Sequence, residues 1–224
     1  MQKFYPKQPQ DPYYETLTAY TQLPSDTLLH YAHIEVFARG DYLSHYDTPI
    51  HTLYFLAEGK VKIYMIHDNG KQSLIQFVDQ GNYIGELSLL EAETTPKDVI
   101  AVQPCVCIAF PFAAFQTALL SDAPFLRHLC VYLGRELLTR TERLSQNQTY
   151  PLINRLAAFI LFTAHAGVYQ EPHGETAEYL GVSYRHLLYT LEKLKSENII
   201  CKQKTGYTIR NMRALRALAR DIRA

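Results

Sequence analysis

Residues 175–194 read ETAEYLGVSYRHLLYTLEKL, and the architecture of the C-terminal third turns on them. Glu175 to Leu180 has the composition of a short helix. Gly181 supplies the turn, since a glycine accepts the positive φ that a tight corner between helices demands. Ser183 stands where a hydroxyl can cap the first turn of a second helix. On that helix Leu187, Leu191 and Leu194 share one face, with Leu180 and Val182 beside them as core. Farther on, Ile199–Lys202 and Tyr207–Arg210 are short apolar runs joined through Lys204-Thr205-Gly206, the pattern of a β-hairpin. Two helices about a turn, followed by a hairpin, make a winged helix-turn-helix. A small helical bundle with no nucleic-acid contact is the plainer alternative.

A helix entering a major groove must present groups that reach base edges and phosphates on its outward face. The outward positions after Ser183 are Tyr184, Arg185, Leu188 and Tyr189. Arg185 can bond a guanine edge bidentately, and Leu188 can touch a thymine methyl. Tyr184 and Tyr189 can donate to phosphates or stack, while Lys202 and Lys204 on the hairpin offer sequence-blind phosphate contacts. Thr176 and Ser183 complete the expected DNA-binding set. Any one of these cations is commonly just a solvated charge; their convergence on one motif carries the expectation.

Working upstream, Leu152 to Ala166 is a strongly apolar helical segment closed by Gly167. Before it, Leu126, Cys130, Leu133, Leu137 and Leu144 are spaced four, three, four and seven apart between Pro124 and Gln148. That spacing is close to an a/d seam. Arg127, Arg135, Glu136, Arg140, Glu142 and Arg143 occupy the other faces. Packing on its own domain is one use of such a stripe. A long charged helix between two domains more often pairs with its twin, so a homodimer interface is expected there.

From about Ile34 to Phe112 the pattern changes to short apolar runs: Leu53–Leu56, Val61–Ile66, Leu74–Val78, Tyr83–Ile84, Val99–Val102 and Val106–Phe110. Gly40, Asp47, Gly59, Asp68-Asn69-Gly70, Gly81 and Gly85 fall between or beside them, which predicts an all-β barrel or roll. Asp68-Asn69-Gly70 is a tight-hairpin signal. The first dozen residues, with Pro6, Pro9 and Pro12, read as a loose arm.

Composition bounds the function. The chain of 224 residues is 47% hydrophobic and 20% charged, so it folds rather than remaining disordered. Its net charge of zero hides a split: residues 150–224 hold 11 basic against 6 acidic side chains, +5 there and −5 before. Such asymmetry hints at nucleic acid or membrane contact by the basic part. No run approaches the ~18 apolar residues that span a bilayer, and Met1-Gln2-Lys3-Phe4-Tyr5-Pro6 lacks the apolar core of a signal peptide. Four scattered cysteines form no disulfide framework. A cytoplasmic chain with reduced thiols, and no membrane partner, is expected.

Gly85-Glu86-Leu87-Ser88-Leu89-Leu90, set in a glycine-punctuated β region, resembles the effector-pocket signature of the Crp/Fnr transcription regulators. The long helix running into Asn154-Arg155-Leu156-Ala157 and the turn Leu180-Gly181-Val182-Ser183 are similar to the same family. The resemblance covers roughly residues 25–220. Ser145–Thr149 running into Asn154–Ile160, together with Ala177–Tyr189, looks most like its YeiL-type subgroup. The resemblance implies an α+β chain: an arm and helix over 1–24, a cyclic-nucleotide-binding-type β-roll (jelly-roll) over 25–115, a dimerisation helix over 116–149, and a Crp-type winged helix-turn-helix over 150–224. It also implies a homodimer on a palindromic double-stranded operator, and RNA polymerase as a further partner if the protein activates.

The departures narrow the signal. Cyclic-AMP binders in this family use the Glu for the ribose hydroxyl and an Arg-Ser pair about ten residues on for the phosphate. Glu86 is present, but the matching stretch reads Thr94-Thr95-Pro96-Lys97. Without the bidentate guanidinium, cyclic AMP is not expected, and Lys97 offers only a point charge. The adenine-contacting pair on the helix falls at Arg140-Thr141, a poor match. The candidate effector pocket is thus Glu86, Leu87, Ser88, Thr95, Lys97, Arg140 and Thr141, with its ligand unidentified.

Iron–sulfur members carry N-terminal cysteines, and residues 1–104 contain none. Cys105, Cys107 and Cys130 remain as a metal, iron–sulfur or thiol redox candidate, weighed against simple burial; otherwise no cofactor is expected. Cys201 reads as structural. On the recognition helix Arg185 stands where the family usually has Glu, so a different operator is expected. A cyclic-nucleotide module without DNA function is the runner-up. A cupin-like metal enzyme would need a His-x-His that is absent, and no phosphate loop, nucleophile elbow or paired carboxylates stand out, so no enzyme is expected.

Overall fold

The computed structural model describes residues 1–20, 31–220 and 222. Two compact units divide at Leu133/Gly134. The arm-to-roll boundary expected at residue 24 lies outside the described residues.

Among the described residues the first unit holds nine strands: β1 Gln2–Phe4, β2 His33–Phe37, β3 Tyr42–Ser44, β4 Thr52–Glu58, β5 Lys60–Ile66, β6 Gln72–Asp79, β7 Tyr83–Ile84, β8 Asp98–Ala101 and β9 Cys105–Pro111. They form two antiparallel sheets, ordered β1-β2-β9-β4-β7 and β3-β8-β5-β6. The apolar runs of the sequence lie within these strands because their side chains alternate between two buried faces. Phe37, Leu56, Ile84, Cys105 and Cys107 of one sheet meet Leu43, Val61, Val78 and Val99 of the other. Ile34, Leu53, Tyr83, Ile108 and Phe110 point away from that interior into a second cluster. The hairpin at Asp68-Asn69-Gly70 closes as its residues predict: Gly70 adopts φ 74°, and its N–H donates to the His67 carbonyl at 2.8 Å.

The arm is not loose at its start. Residues 2–4 pair antiparallel with β2, placing Lys3 opposite Glu35. Lys3 Nζ lies 2.9 Å from the buried Glu35 carboxylate, which also accepts from Tyr54 Oη at 3.0 Å and pairs with His33 Nε2 at 2.9 Å. Burial alone would raise the Glu35 carboxyl, but these three partners outweigh it and hold it below the ordinary range.

Among the described residues, four helices belong wholly or partly to this unit: α1 Tyr14–Thr18, α2 Glu86–Leu89, α3 Phe112–Ser121 and the first half of α4 Ala123–Thr149. Leu17, Phe115, Leu119, Phe125 and Leu129 pack from them onto the outer face of the β1-containing sheet.

The second unit holds the rest of α4, then α5 Leu152–Thr163, β10 Val168–Tyr169, α6 His173–Tyr179, α7 Tyr184–Ser196, β11 Ile200–Lys202, β12 Tyr207–Ile209 and α8 Met212–Leu218. The expected hairpin is present and gains a third strand, in the order β10-β12-β11. Strand β10 is two residues long, too short to announce itself by alternation.

Candidate nucleic-acid interface and effector motif

Helix α7 begins as its sequence dictates. Ser183 is extended at φ −69°, ψ 147°, and its side chain accepts from the His186 N–H at 3.2 Å. The turn before it needs Gly181, whose φ of 62° an L side chain rarely adopts. Leu187, Thr190, Leu191 and Leu194 are buried and fix the roll of the helix about its axis. Tyr184, Arg185, His186, Leu188 and Tyr189 are left in solvent, with Tyr189 72% exposed. Lys202 and Lys204 on the hairpin are also exposed.

Thr176 is a correction. Expected as a DNA contact, it is 0% exposed, and its hydroxyl donates to the Pro172 carbonyl at 2.9 Å and lies 2.7 Å from Tyr169 Oη. The hydroxyl locks α6 to β10, an element that the sequence did not announce.

Two groups absent from the expected set enter the same unit. Arg155 on α5 is buried, with no carboxylate partner among the described residues, and burial draws its pKa down. Its guanidinium donates to the Tyr150 carbonyl at 3.1 Å, to Asn147 Oδ1 at 2.9 Å and to the Leu180 carbonyl at 2.6 Å. One side chain thereby ties the end of α4 and the link after it to the turn that precedes α7. His173, the first residue of α6, has its ring 6.3 Å from that of Tyr184 and 5.9 Å from that of Tyr207. Only the third dimension could reveal either role.

In the first unit, Gly85 carries φ 88°, and a Cβ there would meet the Thr52 carbonyl at 2.8 Å and Ile50 Cγ2 at 3.1 Å. That close approach sets α2, with Glu86, Leu87 and Ser88 half-buried on it. Ile50 and Thr52 also line a cleft of about 240 Å³ with Tyr42, Ser44, His45 and His51. Lys97 Nζ is engaged by Glu93, which also accepts from Ser88 Oγ at 2.7 Å. Thr95 is exposed. Arg140 and Thr141 lie in the second unit, exposed on α4, with the Thr141 hydroxyl turned back onto the Leu137 carbonyl at 2.8 Å.

The three-thiol centre is not assembled. Cys105 and Cys107 are fully buried in the core between the sheets, whereas Cys130 is exposed on α4. Burial raises both core thiols, and Cys105 Sγ donates to the Lys60 carbonyl at 3.4 Å. Among the described residues no group of three or more His, Cys, Asp or Glu is placed to hold a metal, so an iron–sulfur cluster does not fit these thiols. The strand spacing brings two cysteines inward, but α4 turns the third away.

Along α4, Leu126 and Leu133 are half-buried, while Cys130, Leu137 and Leu144 are exposed, the last two at 66% and 63%. Among the described residues no helix is long and apolar enough to cross a membrane.

A family model for the cyclic nucleotide-binding domain matches residues 34–122, and one for a Crp-like helix-turn-helix domain matches residues 154–218. Regulatory protein YeiL of Escherichia coli O157:H7 is 39% identical over 202 residues, 90% of each chain. The cAMP-activated global transcriptional regulator CRP of the same organism is 23% identical over 182 residues, 77% of this chain and 87% of its own. A solved regulator of the crp/fnr family from Eubacterium rectale overlays with a TM-score of 0.75 at 16% identity, covering 93% of this chain and 98% of its own. At that identity the overlay speaks to the fold alone.

Proposed function

Because the chain belongs to the Crp/Fnr family, as a DNA-binding transcription regulator with a cyclic-nucleotide-binding domain, we propose that it acts as a cytoplasmic homodimer on a palindromic operator. A signal received in the β-roll would shift α4 and reposition two copies of α7. This is a coupling between two sites, set by whatever ligand distinguishes the two states. RNA polymerase would be the further partner where the protein activates. The family is one of transcription factors, and we assign the chain no catalysis.

The observation that carries this reading is α7 itself. It is capped at Ser183 and anchored by Leu187, Leu191 and Leu194. Tyr184, Arg185, Leu188 and Tyr189 are thereby offered to solvent on its outer side. Arg185 has the reach for a guanine edge, and Lys202 and Lys204 supply charge beside it.

The signal we favour is not cyclic AMP, although CRP is named for that activation. Lys97, the cation in the stretch where the resemblance would put the phosphate-binding arginine, is already paired with Glu93. The test is to map the genomic fragments that the protein retains. Fragments sharing an inverted repeat, with half-sites about one helical turn apart, are the expected outcome. Retention of random fragments without a shared sequence would overturn sequence-specific regulation.

A further inference from the structure

We infer that His173 is a phosphate contact of the DNA-binding face and takes up a proton as DNA binds, working beside Lys202. This rests on the DNA-binding reading above and adds to it a residue and a pH response.

The geometry places His173 at a junction. It opens α6, and its half-buried ring stands between Tyr184 on α7 and Tyr207 on β12, at 6.3 and 5.9 Å between centroids. The elements that meet there are the ones that carry the exposed DNA-facing groups. The charged and titratable groups at the near ends of these elements include Tyr184, Arg185 and His186 from α7, Lys202 from β11, Lys204 from the hairpin turn and Tyr207 from β12; Tyr189 and Lys193 of α7, Cys201 of β11, and Glu178 and Tyr179 of α6 lie on the same elements. Glu192 and Lys195 act on Tyr207 from farther along α7. Glu171 and Glu175 flank His173 in the chain and have interactions of their own.

In the free protein, partial burial and then the charge of Lys202 hold the imidazole below its ordinary range. It is therefore mostly neutral near pH 7 and a poor anion ligand. A backbone phosphate arriving at Lys202 offsets the ammonium and accepts a hydrogen bond from the charged ring, which together outweigh the burial. The folded-state pKa of His173 is thus higher with DNA than without. Protons are bound on association, and affinity falls as pH rises through the window between the two values. Below that window both states are charged, and above it both are neutral.

The experiment is a binding titration on a random-sequence duplex at constant salt from pH 6 to pH 8, with the full chain. Phosphate contacts operate on any sequence, so no operator is needed. Affinity should drop roughly tenfold across the range for each unit by which phosphate raises the histidine. His173→Gln should match the wild type at pH 8 and lack the gain at pH 6. His173→Arg should bind at pH 8 as tightly as the wild type does at pH 6. His186→Gln should keep the response. A pH slope that survives in His173→Gln, or that disappears in His186→Gln, overturns the inference while leaving the DNA-binding reading intact. A wild type that binds no DNA at any pH overturns both.

Discussion

Arg185 and Lys204 separate the two ways in which a DNA-reading surface engages its target. Both are exposed, the first on the outer face of α7 and the second in the hairpin turn. Arg185→Ala should cost about 1–3 kcal/mol per half-site and relax the preference at one base position. Lys204→Ala should weaken binding to all sequences alike and reduce the salt slope by roughly one for each phosphate left without its lysine. Titrations on specific and scrambled duplexes at several salt concentrations distinguish the two. Equal weakening of both duplexes by Arg185→Ala would move base reading away from α7, to the hairpin or to DNA shape. Residue identities make these two legible, because an arginine after a cap needs little context to be an outward group. Thr176 misleads for the converse reason: its hydroxyl is spoken for by Tyr169 and Pro172, which no helical period reveals.

Among elements, α7 is the most legible and β1 the least. Leucines at positions 187, 191 and 194 set a helical face by spacing alone, and all three are buried. Strand β1 is three residues ahead of a run with three prolines, and it forms where Lys3 finds Glu35 across the sheet. The short helix α2 shows how an element can keep a motif and change its chemistry. Gly85 still makes the close approach to Thr52, but Lys97 and Ser88 are both spent on Glu93. Calorimetry with cyclic AMP should accordingly show no binding in the low micromolar range. Heat of binding there would mean that Lys97 leaves Glu93 for the phosphate.

At the scale of the whole molecule, the stripe on α4 divides by its surroundings. Leu126 and Leu133 are half-buried within the single chain, so charging them would damage its own fold as well as a seam. Leu137 and Leu144 are exposed and cost the single chain little. Leu137→Asp with Leu144→Asp would place charges in the proposed dimer seam, each at on the order of several kcal/mol. Sedimentation should show a folded monomer where the wild type is a dimer. A wild type already monomeric at micromolar concentration defeats the dimer. The sequence by itself determined the roll, the long helix and the helix-turn-helix, because hydrophobic period, turn glycines and one capping serine are local signals that survive without neighbours. Only the tertiary structure decided that Cys130 parts from Cys105 and Cys107, that Arg155 braces the turn before α7, and that His173 sits between hairpin and helix. Each of those depends on which face of an element is covered by another distant in the chain, and no spacing within the element carries that information.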